Sequence, residues 1–257
     1  MSQNRYLPTD LSPNAALRLI ALPYAGGAAA TYYRWRQILP TQFDVVPISL
    51  PGREARFAER PQTDLRTLVS EIADALVSAL DRPFAILGHS MGAWLAFELA
   101  RELRRREMPM PSVVIAAASP APDRPRSTQP MHQLPDAEFV AEMSRRFDGI
   151  PRAVREDEEL LRLLLPAMRA DIELIERYQY SEEPPLACDI LAIGGTDDHA
   201  VSATKLAEWR RHTSGRFSNR LLPGGHFFLF PSGDGESRES TAAVRMIASQ
   251  LQRYLAS

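Results

Sequence analysis

The sequence predicts an α/β fold, with a mostly parallel sheet, helices on both faces and one helical insertion. Three observations predict it. Short apolar runs alternate with amphipathic helical segments from Arg18 to Ala118, and that alternation is the pattern of a parallel sheet. Within it, Phe84-Ala-Ile-Leu-Gly88-His-Ser90-Met-Gly92-Ala93 reads as a buried strand, a sharp turn and the start of a helix. Further on, about fifty residues of helical pattern stand between two strands.

Each element can be justified in order. Met1 to Ala16, punctuated by Pro8 and Pro13, is an irregular lead-in. Arg18 to Pro23 is a short apolar strand that runs into the loop Tyr24-Ala-Gly-Gly27. Thr31 to Leu39 reads as a helix with Tyr32, Trp35 and Leu39 on one side, and Phe43 to Leu50 as a strand weakened at its centre by Pro47. After the turn Pro51-Gly-Arg53-Glu54, Leu65 to Leu80 shows helical apolar spacing. The helix that leaves Gly92 ends in Arg101 to Glu107, read as a solvated face whose cations suit a helix C-terminus. Ser112 to Ala118 is a buried strand, and the five prolines between Ser119 and Pro135 make an irregular connection.

Three helical runs follow: one opening near Asp136, one from Glu156 to Leu165 that Pro166 ends or kinks, and one from Pro166 to Tyr178. Cys188 to Ile193 and Phe217 to Leu222 are the last strands, and the amphipathic segment Thr241 to Leu255 should pack on the sheet. The expectation is one domain over residues 1–257, with an insertion over about residues 123–182. An insertion after a strand's carboxyl end sits over the ligand crevice of a parallel sheet, so it reads as a lid. A purely structural helical subdomain is the alternative.

The chemistry starts at Gly88-x-Ser90-x-Gly92. A serine on so tight a strand-to-helix turn is a nucleophile elbow, and the following helix points its N-terminus at developing negative charge. Acyl transfer by serine needs two backbone N–H groups aimed at the oxyanion. Met91, next after the serine, is one candidate, and Ala25, in the glycine-bearing loop after the first strand, is the other. His226, in Pro223-Gly-Gly-His226-Phe-Phe after the last strand, is the candidate general base. Asp197 and Asp198 both lie in the loop after Cys188 to Ile193, and spacing does not separate them as the acid that orients the imidazole. The chain order serine, aspartate, histidine is that of α/β-hydrolases. Of the other histidines, His89 belongs to the packing of the elbow, His132 and His212 lie in polar surroundings, and no strand delivers His199 to the site.

Composition excludes several classes. The 257 residues are 45% hydrophobic with a net charge of -2, so no basic field exists to drive nucleic-acid or anionic-membrane binding. Cys188 is the single cysteine, which rules out an internal disulfide and a cysteine-based metal site; strand packing is its expected role. No signal-peptide core and no bilayer-length apolar run is found, consistent with a cytoplasmic protein. No Gly-x-Gly-x-x-Gly after a strand and no P-loop is found, so no cofactor and no metal is expected.

Several segments together resemble a known family. Gly88-His-Ser90-Met-Gly92-Ala-Trp-Leu-Ala-Phe-Glu-Leu-Ala-Arg101, Leu22-Pro-Tyr-Ala-Gly-Gly27, Leu50-Pro-Gly-Arg53, Leu134-Pro-Asp-Ala-Glu-Phe139 and Arg169-Ala-Asp171 to Tyr178-Gln-Tyr180 are similar to the type II thioesterases of polyketide and nonribosomal peptide assembly lines. The resemblance implies an α/β-hydrolase fold and hydrolysis of acyl thioesters on the phosphopantetheine arm of acyl or peptidyl carrier proteins, removing stalled or aberrant units. The phosphopantetheine would then belong to the substrate, and a monomer is expected. The family's pattern Gly-Gly-x-x-Asp-x-x-Val selects Asp198, closed by Val201. Some relatives place the acid after the middle strand, where Asp123 is the only acid. Two departures stand out: Tyr24 occupies a position where many members carry histidine, and Ala117 to Pro122 replaces a more basic segment. An esterase of free oxygen esters would share the same triad, as would an acyltransferase that hands the acyl group to an alcohol or amine.

Overall fold

The computed structural model describes residues 4–123, 130–147, 150, 152–230 and 238–255. Six strands form one sheet: β1 (Leu17–Leu22), β2 (Phe43–Pro47), β3 (Phe84–His89), β4 (Val113–Ala117), β5 (Asp189–Gly195) and β6 (Phe217–Leu222). Their order is β2-β1-β3-β4-β5-β6, and every pairing is parallel. Parallel pairing needs crossovers. The helices are α1 (Trp35–Ile38), α2 (Leu65–Leu76), α3 (Met91–Arg105), α4 (Asp136–Phe147), α5 (Arg152–Arg155), α6 (Glu158–Arg177), α7 (Ala203–Ala207) and α8 (Arg238–Leu251).

Alternate side chains of β1 to β5 enter two cores, as strand geometry requires. Ile20, Leu22 and Ile86 pack with Leu68, Ile72 and Leu76 of α2 and Leu95 and Leu99 of α3. Leu19, Ala21, Leu87 and Ile115 pack on the opposite face with Trp35 of α1 and Val244, Ile247 and Leu251 of α8. Because both faces are covered, the inner strands are mostly apolar rather than alternating, with Arg18 of β1, His89 of β3 and Asp189 of β5 as exceptions. A third cluster joins the helices between β4 and β5, with Phe139 and Met143 of α4 against Leu165, Met168 and Ile172 of α6.

Several elements differ from the sequence reading. The helix expected from Thr31 is a 3-10 turn, Ala29–Tyr32, followed by the single turn of α1. The second strand stops at Pro47, which takes the last position of an edge strand, where its missing N–H costs nothing. The two helical runs on either side of Pro166 are one continuous helix, α6. Arg101 lies in no solvated face: its side chain is 1% exposed and pairs with Glu98 at 2.6 Å and Glu183 at 2.7 Å. Pro125, one of the five prolines of the irregular connection, lies outside the described residues, as do residues 148, 149 and 151 of the insertion.

Candidate active site

The carboxyl ends of β1, β3, β5 and β6 converge on one crevice, and each delivers a loop to it. At the end of β3 the chain turns through Ser90, whose φ of 54° is a left-handed value that side-chain-bearing residues rarely adopt. The elbow is held by close backbone packing. A Cβ placed on Gly88 would lie 1.8 Å from the Gly92 carbonyl oxygen, and one on Gly92 would lie 2.3 Å from that of Leu22. Only glycine lets α3 start so near β1 and β3. Ser90 N–H donates to Ala117 O at 2.8 Å, tying the turn to β4.

His226 Nε2 lies 3.0 Å from Ser90 Oγ, and His226 Nδ1 lies 2.9 Å from Asp198 Oδ2. A carboxylate only accepts, so Nδ1 carries the proton and Nε2 is left free to accept from the serine hydroxyl. The Asp198 side chain is 1% exposed and that of His226 is 4% exposed. Asp198 Oδ1 also accepts from Ala200 N–H at 2.8 Å and Val201 N–H at 3.1 Å. Burial pushes the Asp198 carboxyl up, but the His226 hydrogen bond and charge with the two amides outweigh it, and the net shift is downward. Asp198 is therefore held as the anion.

Asp197, one residue earlier, faces solvent and, among the described residues, accepts only from Thr196 Oγ1, at 3.2 Å. Asp123 does not reach the crevice: it pairs with His212 at 3.0 Å and with Arg211. His212 is only partly in polar surroundings. It is buried against Phe97, Tyr180 and Trp209. His132 does lie in polar surroundings, paired with Glu176. Cys188 is partly buried against the core, and burial pushes its thiol up to about 12, far from a reactive thiolate.

Two backbone amides near the serine lack an acceptor. Among the described residues neither Ala25 N–H nor Met91 N–H has a protein acceptor. The loop that carries Ala25 is gripped by side chains whose roles the sequence did not announce: Gly26 N–H donates to Asp171 Oδ2 at 2.7 Å, and Arg53 holds the same carboxylate. The signal available was a single aspartate inside the apolar stripe of α6. Phe147, at the end of α4, lies 5.1 Å from the His226 ring, so the insertion touches the site directly. Tyr24 packs edge-on to His89 and Phe227 beneath the site. Among the described residues no group of three or more His, Cys, Asp or Glu could hold a metal ion.

The profile of the thioesterase domain family matches residues 17–250. The Brevibacillus parabrevis protein named linear gramicidin dehydrogenase LgrE is 41% identical over 259 residues, covering 99% of this chain and 95% of that protein. That protein is named a dehydrogenase, whereas solved structures similar to this chain are named thioesterases. The RedJ thioesterase of the prodiginine pathway of Streptomyces coelicolor superposes with a TM-score of 0.85 at 35% identity, over 92% of this chain and 91% of that one. The type II thioesterase BorB of the borrelidin cluster gives 0.82 at 36% identity, over 97% of this chain and 96% of that one. With a fully parallel sheet, an elbow after β3 and a family profile over nearly its whole length, the chain belongs to the thioesterase domain family and is a thioester hydrolase of α/β-hydrolase fold.

Proposed function

We propose that the chain is a type II thioesterase that strips stalled or aberrant acyl units from acyl or peptidyl carrier proteins of a polyketide or nonribosomal peptide assembly line. The observation that carries the chemistry is the chain of contacts Ser90, His226, Asp198, at 3.0 and 2.9 Å. The carrier-protein role is supported by the likeness to RedJ and BorB over almost all of each chain.

In the first step His226 Nε2 takes the Ser90 proton as Oγ attacks the thioester carbonyl carbon, and the carbonyl π electrons move onto oxygen. The Met91 and Ala25 N–H groups receive that oxyanion, and Asp198 stabilises the imidazolium. As the tetrahedral intermediate collapses, the C–S bond breaks and the pantetheine sulfur leaves with the pair. A thiol of pKa about 8.5 is a good leaving group, and His226 returns the proton to it. Water, deprotonated by His226, then attacks the acyl-serine ester and releases the acid. The helices between β4 and β5 act as a lid, since Phe147 lies over His226. The domain is single, works as a monomer in the cytoplasm, and needs no cofactor of its own.

Mass spectrometry of several acyl-loaded carrier proteins, incubated with the wild type and with Ser90→Ala beside a free oxygen ester, tests this. Wild type should unload the carriers, and Ser90→Ala should lower turnover by about 10⁶-fold. Carriers that stay loaded while the oxygen ester is cleaved would leave a hydrolase without the assembly-line role.

A further inference from the structure

Asp171 occupies a place where a carboxylate is costly unless paired. It lies on the inner side of α6, next to Ile172 and one turn from Met168 and Ile175, and its side chain is 3% exposed. Arg53, 7% exposed, meets it with both arms: Nη1 to Oδ2 and Nη2 to Oδ1, each at 2.7 Å. Arg53 Nη1 also donates to Gly27 O at 2.9 Å, and its Nε to Pro51 O at 3.4 Å. Asp171 Oδ2 takes a third donor, Gly26 N–H, at 2.7 Å. One buried pair thus joins α6, the turn after β2 and the loop after β1.

The loop is also pressed from the α6 side. Gly26 has a φ of +77°, and a Cβ there would lie 2.5 Å from Met168 Cγ. Gly27 N–H donates to Tyr24 O at 2.8 Å. The N–H groups of Gly26 and Gly27 and the carbonyls of Tyr24 and Gly27 are therefore all engaged, while the Ala25 N–H is not. Two charges buried this way add little to stability over apolar residues of equal volume. Geometry is what the pair supplies here, because a planar fork on a carboxylate fixes both partners in angle as well as distance.

We propose that Arg53 and Asp171 are positioning residues that aim the Ala25 N–H at the oxyanion and make that aim depend on α6 being docked. The proposal rests on the serine-hydrolase reading above. The pair touches neither substrate nor reacting atoms; it acts through the Ala25 peptide.

Two variants test it: Asp171→Asn, and the double change Arg53→Met with Asp171→Leu, which removes both charges and the Gly26 acceptor together. Each is assayed on an acyl-N-acetylcysteamine thioester, with wild type and Ser90→Ala alongside, and each is titrated with an alkyl trifluoromethyl ketone. That ketone adds to the serine and places an oxyanion where the transition state has one. The expected result is a fall in kcat of about 10²-fold, the size of losing one oxyanion donor, with KM nearly unchanged and ketone affinity falling in step with kcat. A variant that melts lower yet keeps wild-type kcat and ketone affinity would overturn the proposal, as would a change confined to KM. Failure of both variants to fold would assign the pair to folding and overturn it too. Should Ser90→Ala hydrolyse the thioester as fast as wild type, the serine-hydrolase reading itself fails, a result the pair variants cannot imitate.

Discussion

Asp197 and Asp198 are chemically identical neighbours, and one backbone step decides which meets His226. Asp198 turns inward, takes two amides and the imidazole, and loses its water. Asp197 stays in solvent. Asp198→Asn should leave the fold intact but favour the wrong imidazole tautomer, lowering kcat by about 10⁴-fold, whereas Asp197→Asn should turn over like wild type. Steady-state kinetics of the two purified variants on one thioester checks this, and the opposite ranking would move the acid. At this scale the serine and the histidine that meet at 3.0 Å were singled out by the sequence because motif and strand context agree. The residues misread were those whose partners come from far along the chain. His212 was expected in polar surroundings; Asp123 does meet it, yet Phe97 and Tyr180 close over the rest of its ring. Arg101 looked like part of a cationic helix end until Glu183, beyond the insertion, covered it. Arg53 and Asp171 are separated by more than a hundred positions, and no periodicity joins such a pair.

Among the elements, α6 shows best where local rules yield. A proline inside a helix removes one hydrogen bond and crowds the preceding turn, so the sequence around Pro166 reads as two helices. The apolar residues on either side of it belong to one stripe, however: Leu165 packs with Met168 and Ile172 against Phe139 and Met143 of α4. Burying that common stripe outweighs the local cost, and the helix runs through. Pro166→Ala should therefore stabilise the protein, by about 1–3 kcal/mol from the lost proline penalty. Urea unfolding followed by circular dichroism measures it, and a destabilised variant would mean that the proline geometry is itself used in the packing. The elbow, by contrast, was legible as an element because its constraint is local: glycines two residues either side of the serine are what the strand-to-helix approach demands.

Across the whole molecule the alternation of strands and helices was enough to give a parallel sheet with both faces covered. Strand order was not legible, because crossover pairing is decided by packing rather than by adjacent sequence. The molecule also carries a pH liability at its centre. His89 is fully buried among Tyr24, Phe227, Phe228 and Phe230, close to His226, and neither of its ring nitrogens has a hydrogen-bond partner among the described residues. Burial, then the nearby His226, pushes its pKa well below the usual value. An unfolded chain binds that proton below pH about 6.5 and the folded one refuses it, so stability falls as pH drops from there, by up to about 1.4 kcal/mol per pH unit. Burial lowers His212 as well, though Asp123 opposes it. Asp198 and Asp123, both shifted down, add losses only below the ordinary carboxylate range. Urea unfolding at stepped pH between 7 and 5 should show the slope, and His89→Leu should flatten it; an unchanged slope would place the acid sensitivity elsewhere. Finally, the parts of the crevice are spread along the chain from its first strand to its last. The Ser90 turn, the Ala25 loop and four strands are made before the loops after β5 and β6 that carry Asp198 and His226. A nascent chain that ends before β6 carries Ser90 but not His226, so the proposed hydrolysis has no imidazole to serve it until nearly the whole protein has been made.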